Sequence, residues 1–239
     1  MKAQILKTLA ALALITTSAP AQETPMENHT ASYIAMPAAE GQTEAFAEFL
    51  AGAAPIVADT EPGTVLWFAL QADDTLAIFD IFVDEEARNA HFSGAVAAAL
   101  NQNADALVAG GWDDGVVANI NNSDVLSMRE PVDLYSATTA TYITLEAAPG
   151  RGPELAALLT AAGPIVGENE PGTLFWAALQ IDETSFAIFD IFTNNAGREA
   201  HFAGQVAGLL KERAAELVAG GWDDGVVANV HNFDILAIK

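Results

Sequence analysis

Apolar and polar positions along the chain change period several times, and each period predicts an element. Apolar residues at positions 46, 49, 50 and 53 have the i, i+3, i+4, i+7 spacing of a helix that buries one face. The runs "TVLWFAL" and "LAIFDIF", separated by the polar "QADDT", predict a β-hairpin. A helical stretch over 85–107, broken near Gly94, then precedes a final strand at "GVVANI" that continues through "DVLSM".

The same succession of periods occurs twice. Three segments return in the second half: "EPGT" (61–64 and 170–173), "AIFDIF" (77–82 and 187–192) and "LVAGGWDDGVVAN" (107–119 and 217–229). Pro55 and Pro164, at equivalent positions, are expected to end or kink the first helix of each unit. We therefore predict two repeats, 31–129 and 139–239, joined by a linker at 130–138.

Each repeat has the element order β-α-β-β-α-β, which is the ferredoxin-like plan. Such a unit carries its helices on one face of a four-stranded sheet, so the other face needs a cover. Two copies in one chain can cover each other around a pseudo-two-fold axis, as the subunits of a homodimer do. The sequence therefore predicts an α+β protein whose two repeats form one pseudo-dimeric α+β barrel, and a monomer in solution.

The first residues follow the layout of a secretory signal peptide. "MKAQILK" is basic, "TLAALALIT" is apolar, and small residues follow at Ala19 and Ala21. The apolar run is shorter than the roughly 20 residues that span a bilayer. We predict a signal peptide at 1–21, a disordered segment at 22–30, a periplasmic or secreted location, and no membrane association after cleavage. An uncleaved N-terminal anchor is the alternative.

Charge and cysteine content exclude several classes of function. The chain has 32 acidic and 9 basic residues, a formal net charge of −23, so it repels phosphate backbones and is not expected to bind nucleic acid. The absence of cysteine excludes disulfides and thiolate chemistry. The adjacent acids Asp113–Asp114 and Asp223–Asp224 are expected to face water, and no metal site is predicted.

Three features together carry a family resemblance in each half. They are "EPGT" before an aromatic strand, an acidic residue inside the next strand (Asp80, Asp190), and an "R-x-A-H-F" helix. Each half resembles the antibiotic biosynthesis monooxygenase-like domain of the dimeric α+β barrel superfamily. The resemblance covers nearly all of both repeats. It implies the barrel fold and one of three functions: oxidation of quinols or anthrones without a prosthetic group, haem degradation, or no catalysis.

His91 and His201 occupy equivalent positions and are the first candidates for catalysis. A neutral imidazole can accept a proton from a phenol or quinol, and it can also ligate a haem iron. The alternative is a structural histidine that hydrogen-bonds a nearby carboxylate or carbonyl group.

Asp80 and Asp190 lie inside apolar strands, where an unpaired carboxylate is costly. Arg88 and Arg198 are expected to pair with them and to contribute to substrate binding. Strand alternation places Asp80 on the face opposite Phe79. The other interpretation is an acid–base group whose pKa is raised by burial.

Aromatic side chains and two amides are candidates for substrate binding. The aromatic residues that could wall a pocket for a flat ligand are Trp67, Trp176, Phe68, Phe175, Phe79 and Phe189. Asn119 and Asn229, expected in the final strands, could donate to a bound carbonyl group or to oxygen. The alternatives are core packing for the aromatic residues and backbone hydrogen bonds for the amides.

The leading hypothesis is an exported monooxygenase that oxidises a hydrophobic, phenol-like or quinol-like molecule with O₂ and no tightly bound cofactor. His91, His201, Asp80 and Asp190 would be its catalytic residues. The second hypothesis is a non-catalytic, small-molecule-binding or stress-related barrel. Haem binding or degradation is the third.

Overall fold

The computed structural model describes residues 29–239, and the first repeat occupies its first half. The elements of this repeat are β1 (Thr30–Pro37), α1 (Thr43–Ala51), α2 (Ala54–Thr60), β2 (Thr64–Ala72), β3 (Thr75–Phe82), α3 (Glu85–Phe92), α4 (Ala95–Leu107), a π-helical turn (Gly111–Val116), a 3₁₀ turn (Val117–Asn119) and β4 (Ile120–Arg129). β1 begins one residue before the predicted repeat boundary. The predicted signal peptide and residues 22–28 lie outside the described residues.

A 3₁₀ turn (Leu134–Ser136) interrupts the linker, and the second repeat follows it. Its elements are β5 (Thr139–Glu146), α5 (Gly152–Asn169), β6 (Thr173–Gln180), β7 (Ser185–Phe192), α6 (Asn195–Phe202), α7 (Gln205–Leu217), α8 (Gly221–Gly225), a 3₁₀ turn (Val227–Asn229) and β8 (Val230–Ile238). Among residues 29–239, no helix is long and apolar enough to cross a membrane.

The eight strands form one closed antiparallel barrel in the order β1-β3-β2-β8-β5-β7-β6-β4. The last strand of each repeat joins the two halves: β4 pairs with β1 and with β6, while β8 pairs with β5 and with β2. Closure leaves no strand edge free, which a four-stranded sheet alone would expose. The predicted pseudo-dimeric α+β barrel is confirmed.

Strand alternation divides the core into an inner and an outer layer. Inside the barrel, the rings of Phe79 and Phe189 stack with centroids 3.7 Å apart, and those of Tyr33 and Tyr142 stack at 3.8 Å. Outside it, the sheet packs against the helices, and Trp67 belongs to this layer. The outer layer also holds the polar groups of the candidate site.

The helix before the hairpin differs between the repeats. α1 ends at Ala51 and α2 begins at Ala54, with Pro55 in its first turn. In the second repeat Pro164 lies inside the unbroken α5, so of the two expected effects, an end or a kink, it does not end the helix. Gly52 lies in the break, and the equivalent position in α5 is Ala161.

The prediction of a strand at "GVVANI" is wrong. Gly110 and Gly111 adopt left-handed φ values of 88° and 65° and turn the chain back after α4. Gly115 then packs so closely that a Cβ would lie 2.4 Å from the Ala109 carbonyl oxygen. The chain therefore coils in short helical turns, and β4 starts only at Ile120. Helical turns also precede β8.

Candidate functional site

Each repeat buries a histidine between two carboxylates where the sheet meets a short helix. In the first repeat, Glu61 ends α2 in the "EPGT" turn, Asp80 lies in β3, and His91 lies in the last turn of α3. His91 Nδ1 is 2.5 Å from Glu61 Oε2, and its Nε2 is 3.8 Å from Asp80 Oδ2. Both ring nitrogens therefore face a carboxyl group.

The second repeat contains the same three groups in the same arrangement. His201 Nδ1 hydrogen-bonds Glu170 Oε2, and His201 Nε2 is 3.7 Å from Asp190 Oδ1. Asn194 caps the start of α6 by accepting from the Gly197 N–H at 3.1 Å, and Asp84 caps α3 in the same way. We call Glu61–His91–Asp80 the first triad and Glu170–His201–Asp190 the second triad.

The first triad is almost completely shielded from water. Asp80 has no exposed surface and His91 is 5% exposed. The imidazole lies between the rings of Phe82 and Phe92, whose centroids are 5.3 and 5.5 Å from its own. A low-dielectric setting of this kind strengthens the interaction between charges and penalises an isolated charge.

This setting raises the pKa values of the aspartate and the histidine of each triad. Burial raises the pKa of Asp80 to about 7, an effect that His91 partly opposes and Glu61 reinforces. Burial by itself lowers the pKa of His91, but Asp80 and Glu61 outweigh it and the net pKa is raised. Asp190 has a pKa of about 7 and His201 a raised pKa for the same reasons. Each triad can therefore accept or release a proton near neutral pH.

Several buried polar atoms at the triads have no hydrogen-bond partner among the described residues. They are both carboxyl oxygens of Asp80 and of Asp190, the Oε1 atoms of Glu61 and Glu170, and the Nε1 atoms of Trp67 and Trp176. Trp67 lies directly opposite Asp80 in the β2–β3 pairing. An unsatisfied buried polar group costs about 1–3 kcal/mol. Each triad therefore has more polar donors and acceptors than the hydrogen bonds of the described residues satisfy.

A surface cleft of about 280 Å³ leads to the first triad. His91 and Glu61 line it, together with Gly63, Gly94 and Ala87. A side chain at position 94 would fill it, because a Cβ there would lie 2.8 Å from Glu61 Oε1. The cleft is slightly smaller than typical ligand pockets of about 300–1,000 Å³, so it suits a single ring.

The structure separates the aromatic residues that the sequence grouped into one pocket wall. Trp67 and Trp176 lie in the outer layer beside the triads. The four phenylalanines lie inside the barrel, on the other side of the sheet: Phe68, Phe79, Phe175 and Phe189. Neighbours in a strand point to opposite faces, so Trp67 and Phe68 cannot line the same pocket. The prediction of a single aromatic wall is wrong, and only the tryptophans remain candidates.

The predicted arginine partners of the aspartates are also wrong. Arg88 pairs with Glu85 on its own helix, and the described residues place no arginine within ion-pair distance of Asp80 or of Asp190, so Arg198 is not a partner either. The sequence argument missed Glu61 and Glu170 as the strong partners of the histidines. Their signal was the "EPGT" present in both repeats, which we interpreted only as a repeated segment before an aromatic strand.

Asn119 and Asn229 hydrogen-bond backbone groups of their own loops. Asn119 Nδ2 donates to the carbonyl oxygens of Asp114 and Gly115 at 3.2 and 3.0 Å, and Asn229 repeats both bonds. The alternative of backbone hydrogen bonding therefore describes both amides. They stabilise the turn before the last strand of each repeat and do not face the triads.

The donor set of the triads does not fit haem. Nδ1 of His91 is bonded to Glu61, and Nε2 points into the protein toward Asp80, so neither nitrogen is presented to an iron. Elsewhere in 29–239 there is no group of three histidine, cysteine or acidic side chains that could hold a metal ion.

Solved structures share this architecture at low sequence identity. A proposed monooxygenase from Fusobacterium nucleatum superposes with a TM-score of 0.72 at 14% identity, over 89% of this chain and 94% of its own. A proposed monooxygenase from Lactobacillus acidophilus gives 0.67 at 11%, over 89% and 96%. An anthrone oxidase-like protein gives 0.54 at 11%, over 90% and 94%. No family model and no curated protein matches the chain.

These similarities concern the fold, and the closed barrel of two ferredoxin-like repeats agrees with them. The chain therefore shares the fold of these structures, a pseudo-dimeric α+β barrel in which two ferredoxin-like repeats of one polypeptide close a single eight-stranded sheet.

Proposed function

We propose that the protein is an O₂-dependent monooxygenase that oxidises a small phenol-like or quinol-like molecule at its two triads. The observation that carries the proposal is the buried carboxylate–histidine–carboxyl arrangement, present in both repeats with matching distances. Structures named as monooxygenases and as anthrone oxidase-like share the fold and support the same class of reaction.

The geometry gives each group of the first triad a role in this proposal. Glu61 accepts from Nδ1–H and holds the imidazole in one orientation, so that the Glu61–His91 pair lines the cleft while Nε2 faces Asp80. The hydroxyl group of a substrate in the cleft transfers its proton to the Glu61–His91 pair, and Asp80, behind the imidazole, is the adjoining acid–base group. A pKa of about 7 for Asp80 lets it carry or release that proton at neutral pH. Glu170, His201 and Asp190 have the same roles in the second triad.

Loss of the proton makes the aromatic ring electron-rich, so that it can reduce O₂. One oxygen atom then replaces a ring hydrogen and the other leaves as water. A phenol becomes a quinone, and a quinol becomes a hydroxyquinone. The substrate supplies all the electrons that O₂ takes up, so this reaction requires no external reductant and no tightly bound cofactor.

The cleft and the charge of the protein restrict the substrate. A volume of about 280 Å³ favours one ring over the three rings of an anthrone. The walls include Ala87, Ala90 and Ala95, which suit an apolar ring edge. With a formal net charge of −23, the protein repels anions, so a neutral phenol or quinol is preferred.

Oxygen uptake by the purified protein, with single-ring quinols and anthrones as substrates, tests the proposal. The double variant His91→Gln/His201→Gln is expected to lose about 10²–10⁴-fold in rate, the contribution of general acid–base catalysis. His231→Gln is the matched control, because His231 is an exposed histidine on β8. Equal turnover by the double variant and the wild type would contradict the role of the histidines.

A non-catalytic binding barrel is the second candidate, and the complete burial of Asp80 favours it. In that case the triads only hold the sheet–helix junction together. The double histidine variant would then bind the same ligands as the wild type and differ only in its melting temperature. No quinol or anthrone would be consumed in the presence of O₂.

We also propose that the protein is exported and acts as a monomer. The basic, apolar and small-residue order of the first 21 residues supports export. The two repeats occupy the places of two subunits in one closed barrel, which supports the monomer. Fractionation of the producing cells and sedimentation of the purified protein test the two points.

A further inference from the structure

The last strand of each repeat ends in a cation that hydrogen-bonds the other repeat. Arg129, at the end of β4, donates from Nη1 to the carbonyl oxygens of Glu170, at 2.8 Å, and Thr173. Lys239, just after β8, donates from Nζ to the carbonyl oxygens of Glu61, at 2.9 Å, and Thr64. The two cations hold equivalent positions in "DVLSMR" and "DILAIK".

Each cation holds the two ends of an "EPGT" turn, and each turn carries the glutamate of a triad. In the first repeat, the hydroxyl group of Thr64 donates to Glu61 Oε2 at 3.1 Å, the same oxygen that bonds His91. In the second repeat, Thr173 makes the same bond to Glu170 at 3.3 Å. A continuous chain of contacts therefore runs from the cation, through the turn and the glutamate, to the histidine.

The order of the strands explains why each cation lies beside the triad of the opposite repeat. Because β4 pairs with β6, Arg129 lies opposite Trp176 and close to the second triad. Because β8 pairs with β2, Lys239 lies beside β2, and its backbone N–H donates to the Trp67 carbonyl oxygen at 2.9 Å. Each cation thus contacts the turn that carries the triad glutamate of the opposite repeat.

The two cations are partly withdrawn from water. Burial lowers the pKa of Arg129 and of Lys239, and the neighbouring glutamate of each opposes that change. A partly buried cation is retained at a cost, and it is normally compensated by hydrogen bonds. Here the compensation comes from two carbonyl groups of the turn, which would lose this donor if the cation were removed.

We propose that Arg129 and Lys239 are positioning residues and that each fixes the glutamate–histidine pair of the opposite repeat. Each candidate site is then composite: one repeat supplies the triad and the other supplies the cation that sets its geometry. The inference rests on the proposed function only in treating the triads as the active groups. Its test reads the histidines themselves and needs no turnover.

The test is a proton NMR titration of the histidine rings in the full chain. Lys239→Met is expected to loosen Glu61 and lower the pKa of His91, while the curve of His201 stays unchanged. The direct repulsion between Lys239 and His91 acts in the opposite sense, but it is smaller than the effect of the Glu61 hydrogen bond. Arg129→Met is expected to lower the pKa of His201 and to leave His91 unchanged.

Conservative and control variants separate positioning from general damage. Lys239→Arg and Arg129→Lys keep a donor to the turn and are expected to restore the wild-type curves. Arg88→Met removes a cation whose ion-pair partner within residues 29–239 is Glu85, and it is expected to change the pKa of neither histidine. Unchanged curves in both methionine variants, or a change in the histidine of the same repeat, would overturn the proposal. Equal changes of both histidines in either variant would also overturn it.

The result does not depend on whether the protein is an oxygenase. Suppose that Lys239→Met lowers the pKa of His91 alone, that Arg129→Met lowers the pKa of His201 alone, and that the wild type takes up no oxygen. This result would support the composite sites and reject the proposed reaction. Loss of oxygen uptake in His91→Gln/His201→Gln, together with histidine titration curves that are unchanged in Arg129→Met and Lys239→Met, would reject the positioning role alone.

Discussion

Replacement of the two buried aspartates by asparagine is expected to change how stability depends on pH. Asp80 and Asp190 are fully buried, and burial raises the pKa of each from its ordinary value near 3.8 to about 7. In the unfolded chain each group ionises near pH 4, whereas in the folded protein it keeps its proton to about pH 7. The unfolded state therefore binds fewer protons between these limits, and the free energy of unfolding falls as pH rises through this window.

The size of the effect follows from the width of the window. One pKa unit corresponds to about 1.4 kcal/mol, so the rise from pH 5 to about 7 costs about 3 kcal/mol for each aspartate. Above pH 7 the loss is complete and the curve flattens. The raised pKa of His91 adds stability at low pH that is also lost as pH rises through its folded value, so both groups act in the same direction.

Urea unfolding at pH 5 and pH 8 measures this loss directly. Asp80→Asn/Asp190→Asn is expected to lose several kcal/mol less than the wild type between the two pH values, because neither asparagine ionises. Asp113→Asn/Asp223→Asn is the matched control, since it makes the same two replacements at exposed positions. Parallel pH curves for the wild type and the buried double variant would refute the argument from burial.

Three further substitutions have expected outcomes of their own. Gly94→Ala places a Cβ 2.8 Å from Glu61 Oε1, so it should displace that carboxylate and lower the pKa of His91 in an NMR titration; Gly208→Ala, which meets nothing within 4 Å, is the control and should leave the titration unchanged. Phe79→Ala opens the barrel interior and should cost about 3–5 kcal/mol in denaturant unfolding, and a loss below 1 kcal/mol would contradict the tight inner layer. Asn119→Ala removes two hydrogen bonds of the turn before β4, so it should cost about 1–2 kcal/mol in the same assay without altering oxygen uptake, and a change in uptake would place this residue in the site.

Periodicity and repetition were sufficient to predict the barrel. The alternation in "LAIFDIF" placed Asp80 on the face opposite Phe79, and the structure confirms that Asp80 faces the helices while Phe79 lies inside. The same alternation separates Trp67 from Phe68, so the idea of a common pocket wall conflicted with a rule already in use.

The partners within the triads could not be derived from periodicity. Glu61 and His91 are 30 residues apart, and they meet only because α3 packs back onto the "EPGT" turn. A turn residue has no period, so its side-chain direction depends on the tertiary fold. Arg88 pairs with Glu85 on its own helix, a local i,i+3 contact that it makes in place of the predicted contact with Asp80 on the strand.

The predicted start of the last strand was wrong for a different reason. "GVVANI" has the β-branched content of a strand, but the left-handed glycines Gly110 and Gly111 turn the chain before it. Adjacent glycines after a helix are a turn signal, and in this segment that signal outweighs the preference of valine for strands. The two valines then take different surroundings, with Val116 buried and Val117 45% exposed.

The most direct test of the central claim is a measurement of isotope incorporation from ¹⁸O₂ into the product of a single-ring quinol. The account predicts that the wild type inserts one labelled oxygen atom into each product molecule and releases the other as labelled water. It also predicts that His91→Gln/His201→Gln, with its fold intact, yields almost no labelled product. An unlabelled product, or equal labelling by the double variant, would contradict the assignment of monooxygenase chemistry to the two triads.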